Sequence, residues 1–317
     1  MPVAMSAPDY PIHIEVEPNV HLIRGENRAR FPEANCILVD DEVLTLVDAG
    51  ASRRNITSTL RDLGHSLADI DRVVLTHFHV DHKGLAAEIQ KEAECELICH
   101  PLSRDGVATF EGLIKCYGID RHPHFESWKG LMKLRLPHVM GDYNVTGTFD
   151  DKKPISCGST DLIPIHLPGH TKDHTCFGLN GLDTVLLVDI DLTQFGPWYG
   201  NDVSDIEEFR RSIERLIEMQ PKTGISSHRI KPISEGLDSE LRRYLAIFDQ
   251  REERILSNIE RGFDTVEKLS GVPTIYPRIP YDLYMAFEEF MLEKHIELLV
   301  KRGVLEDKDG NLKIVKK

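Results

Sequence analysis

The sequence predicts an α/β fold followed by a mostly helical C-terminal region. Three observations carry this. Short apolar runs of strand length alternate with segments at helical spacing as far as Ser226, histidines and aspartates follow the C-terminal ends of several runs, and helical spacing takes over beyond Ile233. The first 50 residues read as four short strands, Ile12 to Val16, His21 to Ile23, Cys36 to Val39 and Leu44 to Val47, the last ending in Asp48 and Gly50. Ile56, Leu60 and Leu63 then recur at helical spacing until Gly64 stops the pattern. Arg72 to Thr76 is an apolar strand, Gly84 to about Glu92 a helix, and Cys95 to Cys99 another strand.

Residues 101–155 are irregular and rich in aromatic residues, Gly, Pro and His, with helix expected over Val107 to Tyr117 and Phe125 to Lys133. A stretch of this length reads as an elaboration near the cleft, of the kind that carries lids or binding surfaces. Strands resume at Leu162 to Leu167, Thr175 to Leu179 and Thr184 to Asp189. Ile206, Phe209, Ile213, Leu216 and Ile217 mark a helix from Ser204 to Met219, and Thr223 to Ser226 is the final strand of this region. Helices follow over Leu237 to Phe248, Arg251 to Arg261, Thr265 to Leu269 and Tyr281 to Arg302, and the DKDG turn between Leu305 and Leu312 predicts a hairpin. Helices followed by a hairpin have the order of a winged-helix module. We therefore expect two domains, 1–232 and 233–317.

Of the 317 residues, 41% are hydrophobic and 28% charged, an ordinary globular composition. Six cysteines are too few for a disulfide scaffold, no apolar run reaches the roughly 18 residues of a membrane span, and Met1 to Tyr10 lacks the features of an export signal. These readings favour a cytoplasmic protein that does not enter membranes. A net charge of -14 weighs against nucleic acid as a partner and leaves a small-molecule substrate as the expectation, with a homo-oligomer left open.

LTHFHVDHKG places His77, His79, Asp81 and His82 within six positions directly after a strand. A non-helical loop can turn such a set toward two ions, and a nitrogen and carboxylate donor set suits two divalent metals, zinc foremost, with iron or manganese as alternatives. His170, Asp189 and His228 each follow a predicted strand, where separate pieces of chain can meet at one sheet edge. The remaining histidines, including His100, His122, His124, His138, His166 and His174, read as surface or packing residues.

The set THFHVDHKG, PGHTKDH, LLVDID and SSHR resembles the metallo-beta-lactamase fold superfamily over roughly residues 12 to 232. The resemblance implies a four-layer sandwich of helix, sheet, sheet and helix. It implies one ion on His77, His79 and His170, a second on Asp81, His82 and His228, Asp189 bridging them, and Asp48 supporting the loop. The complete His and Asp set matches the hydrolytic branch of that superfamily and not its di-iron redox branch. The family usually has Gly before the bridging aspartate; this chain has Val188, with Asp191 a second candidate bridge. The C-terminal region resembles the winged-helix-like extension of hydroxyacylglutathione hydrolase-like and mitochondrial endoribonuclease-like members. However, Tyr281 to Glu297 carries four glutamates against one lysine, a poor nucleic-acid face.

Two such ions lower the pKa of a shared water and generate a hydroxide near neutral pH. The expected function is hydrolysis of a small ester, thioester or lactone, with Asp81 orienting the nucleophile while ligating. A metal-dependent phosphodiesterase or ribonuclease is the alternative, and a non-catalytic, metal-stabilised interaction protein a third reading. Phe195, Trp198 and Tyr199 in QFGPWYG are expected to wall the cleft, and Arg229 to meet an anionic group of the substrate.

Overall fold

Alternate side chains of a strand point to opposite faces, and the central strands bury both. In Cys36-Ile37-Leu38-Val39, Ile37 and Val39 enter one apolar core and Cys36 and Leu38 the other, so every position is apolar. The same division places Val74 in the first core and Val73 and Leu75 in the second. The structure is a computed structural model that describes residues 10 to 315. Residues 1 to 9, where most of the export-signal reading falls, lie outside the described residues.

The first sheet contains β1 (His13–Glu17), β2 (Val20–Ile23), β3 (Cys36–Val39), β4 (Thr45–Val47), β5 (Arg72–Leu75), β6 (Glu96–Cys99) and β7 (Gly147–Thr148), neighbours in that order. Pairing is antiparallel from β1 to β4 and parallel from β4 to β7. The second contains β8 (Ile155–Ser156), β9 (Asp161–His166), β10 (Thr175–Leu179), β11 (Thr184–Val188) and β12 (Thr223–Ser226), in the order β12-β11-β10-β9-β8. Helices α1 (Arg53–Asp62), α2 (Val80–Lys83) and α3 (Ala86–Ala93) belong to the first half; α4 (Arg104–Ala108), α5 (Phe110–Tyr117) and α6 (Phe125–Arg135) form the elaboration; α7 (Ile206–Met219) precedes β12. The arrangement is an αββα sandwich.

The C-terminal region consists of α8 (Leu237–Glu260), α9 (Val266–Ser270), α10 (Tyr284–Lys301) and the hairpin β13 (Leu305–Lys308) and β14 (Asn311–Ile314), a winged-helix-like order. Its apolar residues join the sandwich cores: Tyr244, Phe248 and Met291 lie in the same cluster as Phe209 and Ile213, and Leu283 and Phe287 share the other with Tyr117 and Trp128.

The structure differs from expectation in three places. Leu237 to Phe248 and Arg251 to Arg261 are not two helices: no breaker separates them, and buried Tyr244, Phe248, Arg251 and Ile255 continue one stripe through α8. The helix expected over Val107 to Tyr117 is divided at Thr109, whose extended backbone lets its side chain accept from Gly112 N and start α5 afresh. Two short strands, β7 and β8, lie where none was expected. Each has only two residues, too few for a periodic signal.

Candidate metal centre

The histidine loop begins where β5 ends. Asp48, with φ of +60°, follows β4, and its carboxylate accepts from Thr76 N and Thr76 Oγ, both at 2.9 Å, and from His82 Nδ1 at 2.8 Å. The loop then presses on the end of β4: Ala49 N donates to His82 O, and Leu85 N to Ala49 O. Gly50 is required by this contact, because a Cβ there would lie 1.6 Å from the Asp81 carbonyl oxygen. Gly84, at φ of +24°, would put a Cβ 2.4 Å from Ala49 O.

The seven side chains form two adjoining groups. His77, His79, His170 and Asp189 converge on one position, and Asp81, His82 and His228 on another. The Asp189 carboxylate lies between them: Oδ2 is 3.1 Å from His170 Nε2 and 3.8 Å from His77 Nε2, while Oδ1 is 3.1 Å from His82 Nε2 and 3.4 Å from His228 Nε2. His79 Nδ1 and His170 Nε2 face each other at 2.9 Å, and Asp81 Oδ2 lies 3.7 Å from His228 Nε2. By contrast, the Asp191 carboxylate accepts from Thr193 N and Oγ and belongs to neither group.

These residues fit two metal ions, and their outward hydrogen bonds give the reason. A metal-bound imidazole donates its second N–H to an acceptor that fixes the ring. Here His77 Nδ1 meets Thr76 Oγ at 3.0 Å, His82 Nδ1 meets Asp48, His170 Nδ1 meets Trp198 O at 2.8 Å, and His228 Nδ1 meets Ala29 O at 2.6 Å. The inward His77 Nε2, His82 Nε2 and Asp189 Oδ1 are buried without a hydrogen-bond partner, a costly arrangement unless they share a ligand. For His79 the outer partner is the Asn201 amide, 3.2 Å from Nε2. Turning that amide over lets Oδ1, otherwise unpartnered, accept from Nε2–H and leaves Nδ1 for an ion, in exchange for the 3.3 Å bond from Nδ2 to His170 O, which keeps Ser204 Oγ as its donor at 2.6 Å.

Electrostatics separate the halves. Burial, reinforced by neighbouring imidazoles, pushes His77 and His79 well below the usual histidine range, so they stay neutral. Burial also opposes charge on His82 and His228, but it is outweighed by Asp189 with Asp48 at His82, and by Asp189 with Asp81 at His228. Thus His82 is raised well above its ordinary value and His228 to about 9. Burial alone would raise Asp189, yet His82, His228 and His170 hold it well below the carboxylate range.

Several supporting residues escaped the sequence reading. His174 was expected to pack, and it also positions Asp189: its Nδ1 donates to Leu167 O and its Nε2 accepts from Asp189 N, while burial lowers it to about 3. Buried Asp173 accepts from Phe78 N, between two loop histidines, and from Ser103 Oγ. The only available signal for it was its place in PGHTKDH. Val188 has φ of +52°, a left-handed conformation in which a β-branched residue is an outlier; glycine would adopt it freely.

The centre opens into a cavity of about 1050 Å³. Phe195, Trp198 and Arg229 line it. Tyr199 does not: its ring stacks on Phe248 and its hydroxyl bonds His295 Nε2 at 2.7 Å and Arg251 Nη1 at 2.9 Å, so it packs behind the wall. Trp198 turns inward beside Phe195, and Tyr199, the next residue along the chain, turns to the opposite side. Its indole Nε1–H donates to Tyr276 Oη at 2.8 Å, while its carbonyl receives His170 Nδ1–H. Further wall residues are Tyr117, Trp128 and Met132 from the elaboration and Tyr284 and Phe287 from α10.

A family model described as the metallo-beta-lactamase superfamily matches residues 29–228. The chain belongs to that superfamily. Among its relatives, the probable metallo-hydrolase YqjP of Bacillus subtilis is 39% identical over 215 residues, covering 60% of this chain and 65% of YqjP. An atrochrysone carboxyl ACP thioesterase of Passalora fulva is 23% identical over 316 residues, covering 96% of this chain and 80% of the thioesterase. The crystal structure of the metallo-beta-lactamase family protein TTHA1429 of Thermus thermophilus has a TM-score of 0.72 at 20% identity. It covers 95% of this chain and 100% of that one, a likeness of fold. The superfamily member described here is a metal-dependent hydrolase with a dinuclear metal-binding motif.

Proposed function

We propose that this superfamily member hydrolyses esters or thioesters, lactones included, whose acyl group is bulky and apolar. The carrying observation is the position of the two ligand groups at the floor of a large cavity with an aromatic wall. The name of the Passalora fulva relative, a thioesterase matching nearly the whole chain, supports the thioester reading.

His77, His79 and His170 would hold one ion, Asp81, His82 and His228 the other, with Asp189 shared. Two divalent ions held there, zinc on this donor set, would supply an activated water and a Lewis acid for the carbonyl oxygen. Tyr117, Trp128 and Phe287 exclude water from the acyl group and orient it. Asp81, which lines the cavity, would help hold the second ion and would accept a hydrogen of the attacking water, orienting it toward the carbonyl carbon. In net terms a C–O bond forms, the C–S or C–O bond to the leaving group breaks, and the leaving thiolate or alkoxide takes up the water's proton. All six cysteines are free and buried, which supports a cytoplasmic setting, and no helix among the described residues is long and apolar enough to cross a membrane.

The test is a panel of thioesters, lactones, phosphodiesters and single-stranded RNA offered to the metal-loaded enzyme, with His77→Ala as background. Turnover of thioesters or esters with aromatic acyl groups is expected. Turnover confined to phosphodiesters or RNA would overturn the proposal.

A further inference from the structure

The cavity has two unlike sides, and each faces a different half of the metal centre. His79 lies against Tyr117 and Trp198, with ring centroids 5.2 and 5.3 Å away, so the His77, His79 and His170 group abuts the aromatic wall. His228 is tied to Ala29 O and followed by Arg229, so the His228 end of the second group abuts a different surface. Four lining residues there are arginines: Arg28, Arg30, Arg229 and Arg243.

These arginines stand out in a chain with a net charge of -14. Arg229 and Arg243 share a single carboxylate, Glu240 Oε2, at 3.3 and 2.7 Å. Arg28 and Arg30 are exposed and form no ion pair among the described residues. They flank Ala29, whose carbonyl holds a proposed metal ligand, so the backbone that orients His228 also sets both arginines in the cavity lining. Guanidinium forks match carboxylate and phosphate oxygens, and clustering them in a cleft focuses the field on an incoming anion.

We infer that this side is an anion subsite, where Arg28, Arg30, Arg229 and Arg243 receive the carboxylate or phosphate of the substrate's leaving arm while the acyl group occupies the aromatic side. The inference rests on the hydrolase reading for the polarity of the substrate. It assigns the enzyme to thioesters or esters of anionic thiols or alcohols. Hydrolysis then returns the anionic thiol or alcohol from the arginine side and the apolar carboxylate from the aromatic side.

The test compares one aromatic acyl group on three thiols: coenzyme A, bearing phosphates; glutathione, bearing carboxylates; and neutral N-acetylcysteamine. At low salt, kcat/KM should favour an anionic arm over the neutral one by about tenfold or more, and the ratio should fall toward unity in Arg28→Ala/Arg30→Ala and in high salt. The coenzyme A and glutathione arms tell phosphate from carboxylate. Equal turnover of all three thioesters would overturn the anion subsite and leave the hydrolase reading standing. Turnover of none would refute the thioester reading, and the subsite is then judged by titrating desulfo-coenzyme A and S-methylglutathione, which lack a thiol for metals. Binding by the parent that weakens about tenfold in the folded double variant supports the subsite; no binding, or unchanged binding in the variant, overturns it.

Discussion

Gly50→Ala tests how the second half of the metal centre is held. The added methyl would lie 1.6 Å from Asp81 O and 3.2 Å from Ala34 Cβ, so the loop must retreat by about 1.4 Å to reach the 3.0 Å limit of real contacts. Overpacking of this kind costs about 1–3 kcal/mol, but the larger consequence is positional. Asp81 and His82 move with the displaced carbonyl, whereas His228 stays on its own loop, held by Ala29 O. Ligands displaced by about 1 Å no longer share one coordination sphere, and a shift of that size can cost about 100-fold in rate. Elemental analysis after dialysis is expected to give close to two transition-metal ions per chain for the parent and close to one for the variant, with an unchanged circular dichroism spectrum and turnover reduced at least about 100-fold. A folded variant that keeps two ions and parent activity would refute the argument that this approach sets the site.

Asp48→Ala removes the acceptor for His82 Nδ1 and both Thr76 donors, and should weaken ion binding about 10- to 100-fold in competition with a chelator. Arg251→Met leaves the carbonyls of Phe195 and Pro197 without their buried donor and should cost about 2–6 kcal/mol in denaturant unfolding, from about 1–3 for each carbonyl, with turnover falling as QFGPWYG loosens. In the ion-free protein the His228 proton, held to about 9 against an ordinary 6.5, stabilises the fold fully below 6.5, and that contribution disappears as pH rises through 9. Binding an ion must expel this proton and that of His82, which is also raised, so affinity at the Asp81, His82 and His228 half should rise with pH through about 9, with proton release visible as a buffer-dependent heat; a pH-independent second binding step would contradict this. Trp128→Ala should shift selectivity toward larger acyl groups in a chain-length series.

The central strands were legible because the two-sided burial of β3, β5 and β11 leaves continuous apolar runs bounded by turn residues. The donor set was legible for a related reason: ligands crowd a short loop or stand directly after strands. What escaped depends on contacts distant in sequence. Nothing local marks Asn201 as the partner of His79, or Tyr199 as the residue that turns away from the cavity toward His295. The same holds for Arg251, which resembles any helix-surface arginine until α8 buries it against the backbone of Phe195 and Pro197. Arg28 and Arg30 carry no motif, and become informative only when Ala29 between them is found holding His228.

Trp198 touches a proposed metal ligand with its carbonyl and the C-terminal region with its indole. Any free energy that docking of the C-terminal helices contributes to ordering His170 must be returned, in equal amount, from ion binding to docking. Metal loading and protection of the segment around Tyr276 from proteolysis are therefore two readings of one coupled equilibrium, and the availability of metal in the cell would set how firmly this enzyme closes its own substrate wall.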